Sequence, residues 1–277
     1  MKKYFIFIII GVFFFETYTV AQTVREHGSN DVKIGIAAYT FRKFDIDSTL
    51  KMYKIADAKY MSVKDFHLPL NSTREQMEDF KKKCAHHDVI PYALGPIYMK
   101  TEEEVDNAFD YVVRFGGDLL IGVPNYELLP YVEQQVKTTG IRFAIHTHGP
   151  DNQPFPDAKD AYDRIKDMDP LIGICIDLGH TIRFGGNATE DLIKYEDRIF
   201  DIHIKDVTAP SKEGTTCEMG RGVMDFYPIL ESLRLIEYKG AVSLEFEKDP
   251  DYPFFGVLES IGYLRGALDM VNRKTQF

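Results

Sequence analysis

The sequence is poor in cysteine: Cys84, Cys175 and Cys217 are the only three in 277 residues, and no C-x-x-C pair occurs. Three cysteines do not make a disulfide framework for a chain of this size. No spacing suggests a zinc site of paired thiolates, and Cys175, inside an apolar strand pattern, reads as a small core residue. Positive charge is also short, with 33 Lys and Arg against 43 Asp and Glu, a formal net charge of −10. That balance argues against a nucleic-acid partner, whose affinity comes largely from cations neutralising phosphates. It leaves the sign of any small-molecule site open. Past its first residues the chain has no apolar run long enough for a ~30 Å bilayer core. It also has no low-complexity linker or composition shift between Val32 and Asn272.

The first segment stands apart. Lys2 and Lys3 precede an apolar run over residues 4–15, and Thr19-Val20-Ala21 follows with small residues suited to cleavage. This pattern predicts a signal peptide over residues 1–21, hence an exported, periplasmic protein with no stable membrane insertion after cleavage. Residues 22–277 are expected to form one domain. Their 44% hydrophobic and 27% charged content describes a globule with a sizeable core.

Eight short strand-like runs, 33–38, 60–64, 89–94, 118–123, 141–145, 171–176, 199–204 and 241–246, alternate with helix-length stretches. Ser72 followed by Glu75 predicts a capping box, and Thr101 before three glutamates predicts a capped first turn. Alternation of this kind implies a parallel sheet, and eight units close into a (β/α)8 TIM barrel. An open doubly wound sheet is the rival architecture. It usually shows a Gly-rich phosphate turn after the first strand, and Ala38-Tyr39-Thr40-Phe41-Arg42 is not one. The irregular stretch from Thr208 to Asp225 follows the seventh strand, on the face where barrels build active sites.

The late strands carry the chemistry. Phe143 and Ile145 alternate with Ala144, His146 and His148; Ile174 and Ile176 with Cys175 and Asp177; Phe200, Ile202 and Ile204 with Asp201, His203 and Lys205; Val242, Leu244 and Phe246 with Ser243, Glu245 and Glu247. The apolar set should pack under the helices. The other set puts ionisable groups inside the barrel at the ends of four consecutive strands. Unpaired, each would cost several kcal/mol, roughly, when buried. A divalent cation compensates several at once, whereas an internal ion-pair network around Lys205 is the structural alternative.

His146-Thr147-His148-Gly149-Pro150, Asp177-Leu178-Gly179-His180-Thr181, His203-Ile204-Lys205-Asp206-Val207, Gly220-Arg221-Gly222 and Leu244-Glu245-Phe246-Glu247 resemble, in order, the signatures of the sugar phosphate isomerase/epimerase family, whose barrel is xylose isomerase-like. Lys64-Asp65-Phe66-His67-Leu68-Pro69-Leu70 resembles a subgroup with many exported bacterial members. The resemblance implies one divalent metal, Mn²⁺ first with Zn²⁺, Co²⁺, Fe²⁺ or Mg²⁺ as alternatives, held by His146, Asp177, His203 and Glu245. Ketose epimerases of this family carry a glutamate where His146 stands, so the symmetric two-glutamate mechanism does not transfer. A histidine-rich fifth strand is more similar to that of inosose dehydratases.

The shared chemistry is removal of a proton next to a carbonyl. His148 is the first candidate for acid/base work, then Glu245 or Glu247, with Lys205 beside a developing oxyanion. Lys64, His67, His180, Arg183 and Arg221 are expected to bind substrate, a small carbohydrate. Without a phosphate cradle, an unphosphorylated sugar fits better than a sugar phosphate. Isomerisation or epimerisation leads; β-elimination on a keto-sugar or 3-keto-glycoside follows. A non-catalytic exported sugar-binding protein is a third reading. AP endonucleases share the fold and the Asp-x-x-His spacing of Asp177 and His180, but require a histidine after strand three that Leu94-Gly95-Pro96 lacks. Oligomerisation is left open.

Overall fold

A computed structural model describes residues 32–151 and 154–274; the expected signal segment, 1–21, lies outside the described residues. Eight parallel strands close a barrel: β1 (Lys33–Ala37), β2 (Tyr60–Val63), β3 (Ile90–Met99), β4 (Leu119–Pro124), β5 (Arg142–His146), β6 (Ile172–Asp177), β7 (Ile199–Ile204) and β8 (Ala241–Leu244). Each strand pairs with its chain neighbours, and β8 returns to β1 through Lys33–Ala241 and Ile36–Leu244. Helices cover the outside, including α1 (Ile46–Ala56), α2 (Arg74–His86), α3 (Glu102–Phe115), α4 (Leu129–Thr139), α5 (Ala158–Ile165), α6 (Leu178–Arg183), α7 (Ala188–Lys194), α8 (Phe226–Leu235) and α9 (Phe254–Lys274). Among the described residues no helix is long and apolar enough to cross a membrane.

The period-two pattern of the late strands divides as alternation requires. Phe143, Ile145, Ile174, Ile176, Ile202, Ile204, Val242, Leu244 and Phe246 join the large core between barrel and helices. Ala93, Leu119, Ile121, Ala144 and Cys175 form a smaller core inside the barrel. Phe200 departs from the expected outer set. The β6–β7 register shifts between Ile174 and Cys175, so that Ile199 opposes Ile174 and Asp201 opposes Cys175. The extra residue turns Phe200 onto the inner cluster, where it packs with Tyr92.

Two further expectations are corrected. The third strand does not stop at Leu94: β3 continues through the cis Gly95–Pro96 bond to Met99. A register shift against β4 between Leu94 and Ile97 absorbs the residue that cannot donate to the ladder. The capping box of α2 is one residue later than Ser72–Glu75. Thr73 accepts from Gln76 N at 3.2 Å, and Gln76 Oε1 accepts from Thr73 N at 2.8 Å. Ser72 is buried under α3, where its carbonyl accepts from Arg114. The cap at Thr101 is as expected, accepting from Glu104 N at 3.2 Å.

Thr73→Ala should lower the unfolding free energy by about 1 kcal/mol in denaturant titration. An equal loss from Glu75→Ala, with none from Thr73→Ala, would return the cap to Ser72.

Candidate active site

The C-terminal ends of β5 to β8 bring four ligand-type side chains together. One atom each from His146, Asp177, His203 and Glu245 lie within 4.8 Å of one another, and all four residues are buried. His146 Nε2 stands 3.0 Å from His203 Nδ1, and that same Nδ1 is 3.4 Å from Glu245 Oε1. Two nitrogens bound to one ion at about 2.0–2.1 Å would sit about 3 Å apart, so the spacing suits a shared cation. Nδ1 of His146, Nδ1 of His148 and Nε2 of His203 are buried with no hydrogen-bond partner. A donor set of two imidazoles and two carboxylates fits a first-row divalent ion better than calcium.

Lys205 occupies the other side of the same carboxylates. Its Nζ is 2.9 Å from Asp177 Oδ2, 3.0 Å from Glu245 Oε2 and 3.2 Å from Glu247 Oε1, with no side-chain exposure. The ion-pair network weighed against a metal is therefore present, but it uses the outer carboxylate oxygens and leaves Glu245 Oε1 to His203. Burial opposes the charge of Lys205, yet Asp177, Glu247 and Glu245 hold it well above the ordinary lysine value. Burial raises Asp177 to about 7 against the pull of Lys205. Burial would raise Glu245 too, but Lys205 and His203 hold it well below the usual carboxylate range. Burial opposes protonation of His203, and Glu245, Asp201 and Asp177 raise its pKa nonetheless. A metal among the four would supply the positive charge that these buried carboxylates favour.

Local sequence explains the placement. Asp177 ends β6 and caps α6, its Oδ1 accepting from His180 N at 2.9 Å, while its own N–H donates to Thr147 Oγ1 at 3.0 Å. Gly179 in the first turn of α6 leaves the space that the Lys205 stem crosses; a Cβ there would collide with Lys205 Cγ. Gly149 has φ of +67°, and a Cβ would press on the His180 backbone. Asp206, buried, accepts from the backbone N–H groups of Val207, Gly220, Gly222 and Met224 at 2.8–3.2 Å. It thereby folds the irregular stretch after β7, which contains a short antiparallel pairing of Asp206–Val207 with Thr216–Cys217.

His148 lies beyond the end of β5 with its ring 4.5 Å from that of His146, centroid to centroid. Its Nε2 meets Tyr98 Oη at 2.7 Å, and burial pushes its pKa down to about 4, so it is neutral near pH 7. His180 stacks on His148 at 6.3 Å and touches Lys205 Nζ through Nε2 at 3.1 Å. Arg183 clips three loops, contacting Asp151, His180 Nδ1 at 3.2 Å and the carbonyl of Lys212 at 2.8 Å. Lys64 lies near the Tyr98 ring at 5.9 Å, bound to Asp65 and the Pro96 carbonyl. The other two expected substrate contacts have partners of their own. His67 Nε2 bonds Thr49 Oγ1 and Phe44 O, and Arg221 pairs with Glu259 on α9. Glu247, half-buried, is held by Thr216 and Lys205.

Tyr98, Thr147 and Asp201 join this site without having been singled out for it. Tyr98 was hidden by the Gly-Pro pair, which reads as the end of a strand. Asp201 shares the inward parity of His203, and that was the available signal.

The architecture and this mouth define a (β/α)8 barrel with an ionisable C-terminal centre. The sequence profile of the Xylose isomerase-like TIM barrel family matches residues 52–267, and the chain belongs to that family. An inosose dehydratase of Clostridium beijerinckii is 28% identical over 135 residues, 43% of this chain and 44% of that protein. The chain thus matches less than half the length of this curated relative. The fold is similar to that of the IolI protein with a bound zinc atom, at TM-score 0.71 and 15% identity over 87% of this chain and 99% of that one. It is also similar to a sugar phosphate isomerase/epimerase from Parabacteroides distasonis, at TM-score 0.63 and 17% identity over 84% and 96%.

Asp177→Asn and Glu245→Gln should each remove metal binding, read by metal content after dialysis, while the barrel stays folded. Asparagine also caps helices well, so Asp177→Asn retains α6. Full metal content with a lowered melting temperature in both variants would instead assign these carboxylates to the Lys205 network alone.

Proposed function

We propose that this chain is a divalent-metal-dependent enzyme that removes a proton beside the carbonyl of an unphosphorylated sugar. The convergence of His146, Asp177, His203 and Glu245 at the barrel mouth carries this reading. These four would hold the ion, Mn²⁺ by preference, and the ion would polarise the carbonyl and a neighbouring hydroxyl. His148 would take the proton: it is neutral, and Nε2 meets the hydroxyl of Tyr98, a half-exposed residue, which offers a path for the proton to leave. Lys205, already charged, would stand beside the oxyanion as it forms. Glu247 is the reserve base, and Lys64, His180 and Arg183 line the surrounding loops for sugar hydroxyls. The leader-like pattern of residues 1–21 supports action outside the cytoplasm, where free sugars rather than sugar phosphates are expected.

Isomerisation or epimerisation is the first outcome of such an abstraction. The second is β-elimination from a keto-sugar or 3-keto-glycoside. It is favoured by His146 in place of the epimerase glutamate and by the partial match to inosose dehydratases.

The test is an NMR time course of the Mn²⁺-loaded protein in deuterated water with free sugars, keto-sugars and 3-keto-glycosides. Deuterium beside the carbonyl, together with product identity, separates the three reactions. His148→Ala should retain metal and lose roughly 10²–10⁴-fold in turnover, whereas His146→Ala should lose metal first. Absence of both exchange and product across the panel would sink the enzymatic reading.

A further inference from the structure

The ring of His203 joins two polar layers of the barrel. Its Nδ1 faces His146 Nε2 at 3.0 Å and Glu245 Oε1 at 3.4 Å. Its Nε2 faces the other way, toward Asp201 Oδ2 at 3.6 Å. Asp201 is fully buried, and among the described residues no lysine or arginine pairs with it. Its carboxylate instead gathers neutral donors: Tyr92 Oη reaches Oδ1 at 2.8 Å and Cys175 Sγ reaches Oδ2 at 3.4 Å. Tyr92 Oη is held in turn against Ser243 Oγ, at 2.8 Å. Burial pushes the Cys175 thiol well above its ordinary pKa, which suits a donor to Asp201. A carboxylate buried without a fixed cation costs several kcal/mol, roughly, unless something nearby uses its charge.

We propose that Asp201 is a positioning residue that sets the tautomer and orientation of His203, and through them the metal affinity of the site. A neutral imidazole carries one proton. On Nδ1 it would point into the ligand cluster and block coordination. An acceptor-only carboxylate opposite Nε2 favours the proton there and leaves the Nδ1 lone pair for the ion. The present 3.6 Å gap is about half an ångström longer than a normal hydrogen bond, and a small rotation of the ring that brings Nε2 toward Asp201 Oδ2 closes it. Tyr92, Ser243 and Cys175 keep the carboxylate from rotating away. The register shift at Ile174/Cys175 sets Asp201 opposite Cys175 and His203 opposite Asp177. One strand irregularity thus fits both the ligand and its support. This inference rests on the metal site proposed above.

Zn²⁺ is the probe, with its dissociation constant measured by chelator competition and the His203 tautomer by long-range ¹H–¹⁵N NMR. Asp201→Asn should weaken Zn²⁺ about 10–100-fold, because an amide must turn an N–H toward one of three donors. Tyr92→Phe, which keeps the carboxylate, should cost less. Zn²⁺-loaded wild-type protein should show a slowly exchanging Nε2–H on His203, a readout that needs no variant to fold. Unchanged affinity in Asp201→Asn, or Nε2 of His203 bound to zinc, would overturn the assignment of Asp201 alone. A wild-type chain that binds no Zn²⁺ would overturn it together with the metal site.

Discussion

The organising constraint of this molecule is the concentration of buried charge at one end of the barrel. Asp177, Glu245 and Asp201 are carboxylates withdrawn from water, and Lys205 is the only buried ammonium among them in the described residues. Left alone, such a group of anions would be intolerable in a low-dielectric interior. Lys205 neutralises the side of Asp177 and Glu245 that faces Glu247, and the carboxylates around His203 raise its pKa. The site is thus held together by the same deficit of positive charge that would suit it to a cation. Ion-pair network and candidate metal centre, alternatives on paper, share one cluster.

The rest of the fold serves that cluster by giving its members fixed positions. Parallel strands end at the same level, so residues at corresponding inward positions on β5, β6, β7 and β8 converge without any loop having to reach for them. Loops then do secondary work. Asp206 gathers four backbone donors and folds the stretch after β7, and Arg183 ties the loops after β5, β6 and β7 to one another. Gly179 and Gly149 let backbone and side chain approach within distances a Cβ would forbid. Beneath the mouth, Tyr92, Phe200, Ala144 and Cys175 fill the barrel, so the polar groups rest on a packed floor rather than a channel.

The arrangement also separates two histidines that look equivalent along the chain. His146 is the last residue of β5, and its Nε2 looks across to His203. His148 has left the ladder, its backbone N–H bonded to Phe155 O in the returning loop, and its ring turns to Tyr98. One sits in the candidate ligand set and the other beside it, bonded to the hydroxyl of half-exposed Tyr98. That division is what the proposed acid/base role of His148 beside a metal requires.

Much of this was legible in the sequence because it follows from local periodicity. Strand and helix alternation is enough for the barrel, and period-two parity is enough to place Asp177, His203, Lys205 and Glu245 inward, since successive side chains of a strand must point to opposite faces. What sequence could not decide depends on contacts between distant segments. The continuation of β3 past Gly95–Pro96 needs β4 to absorb a register shift, and only then does Tyr98 arrive at His148. The bulge that turns Phe200 inward exists only in the pairing with β6. His67, from a motif that looked like part of the site, is drawn to Thr49 and Phe44, because a ring nitrogen near the core takes the nearest hydrogen-bond partners that packing offers. Sequence by itself determined the inward set at the strand ends, though not Phe200; tertiary structure decided which of those residues touch, because hydrogen bonds and ion pairs depend on separations of a few tenths of an ångström that parity does not set.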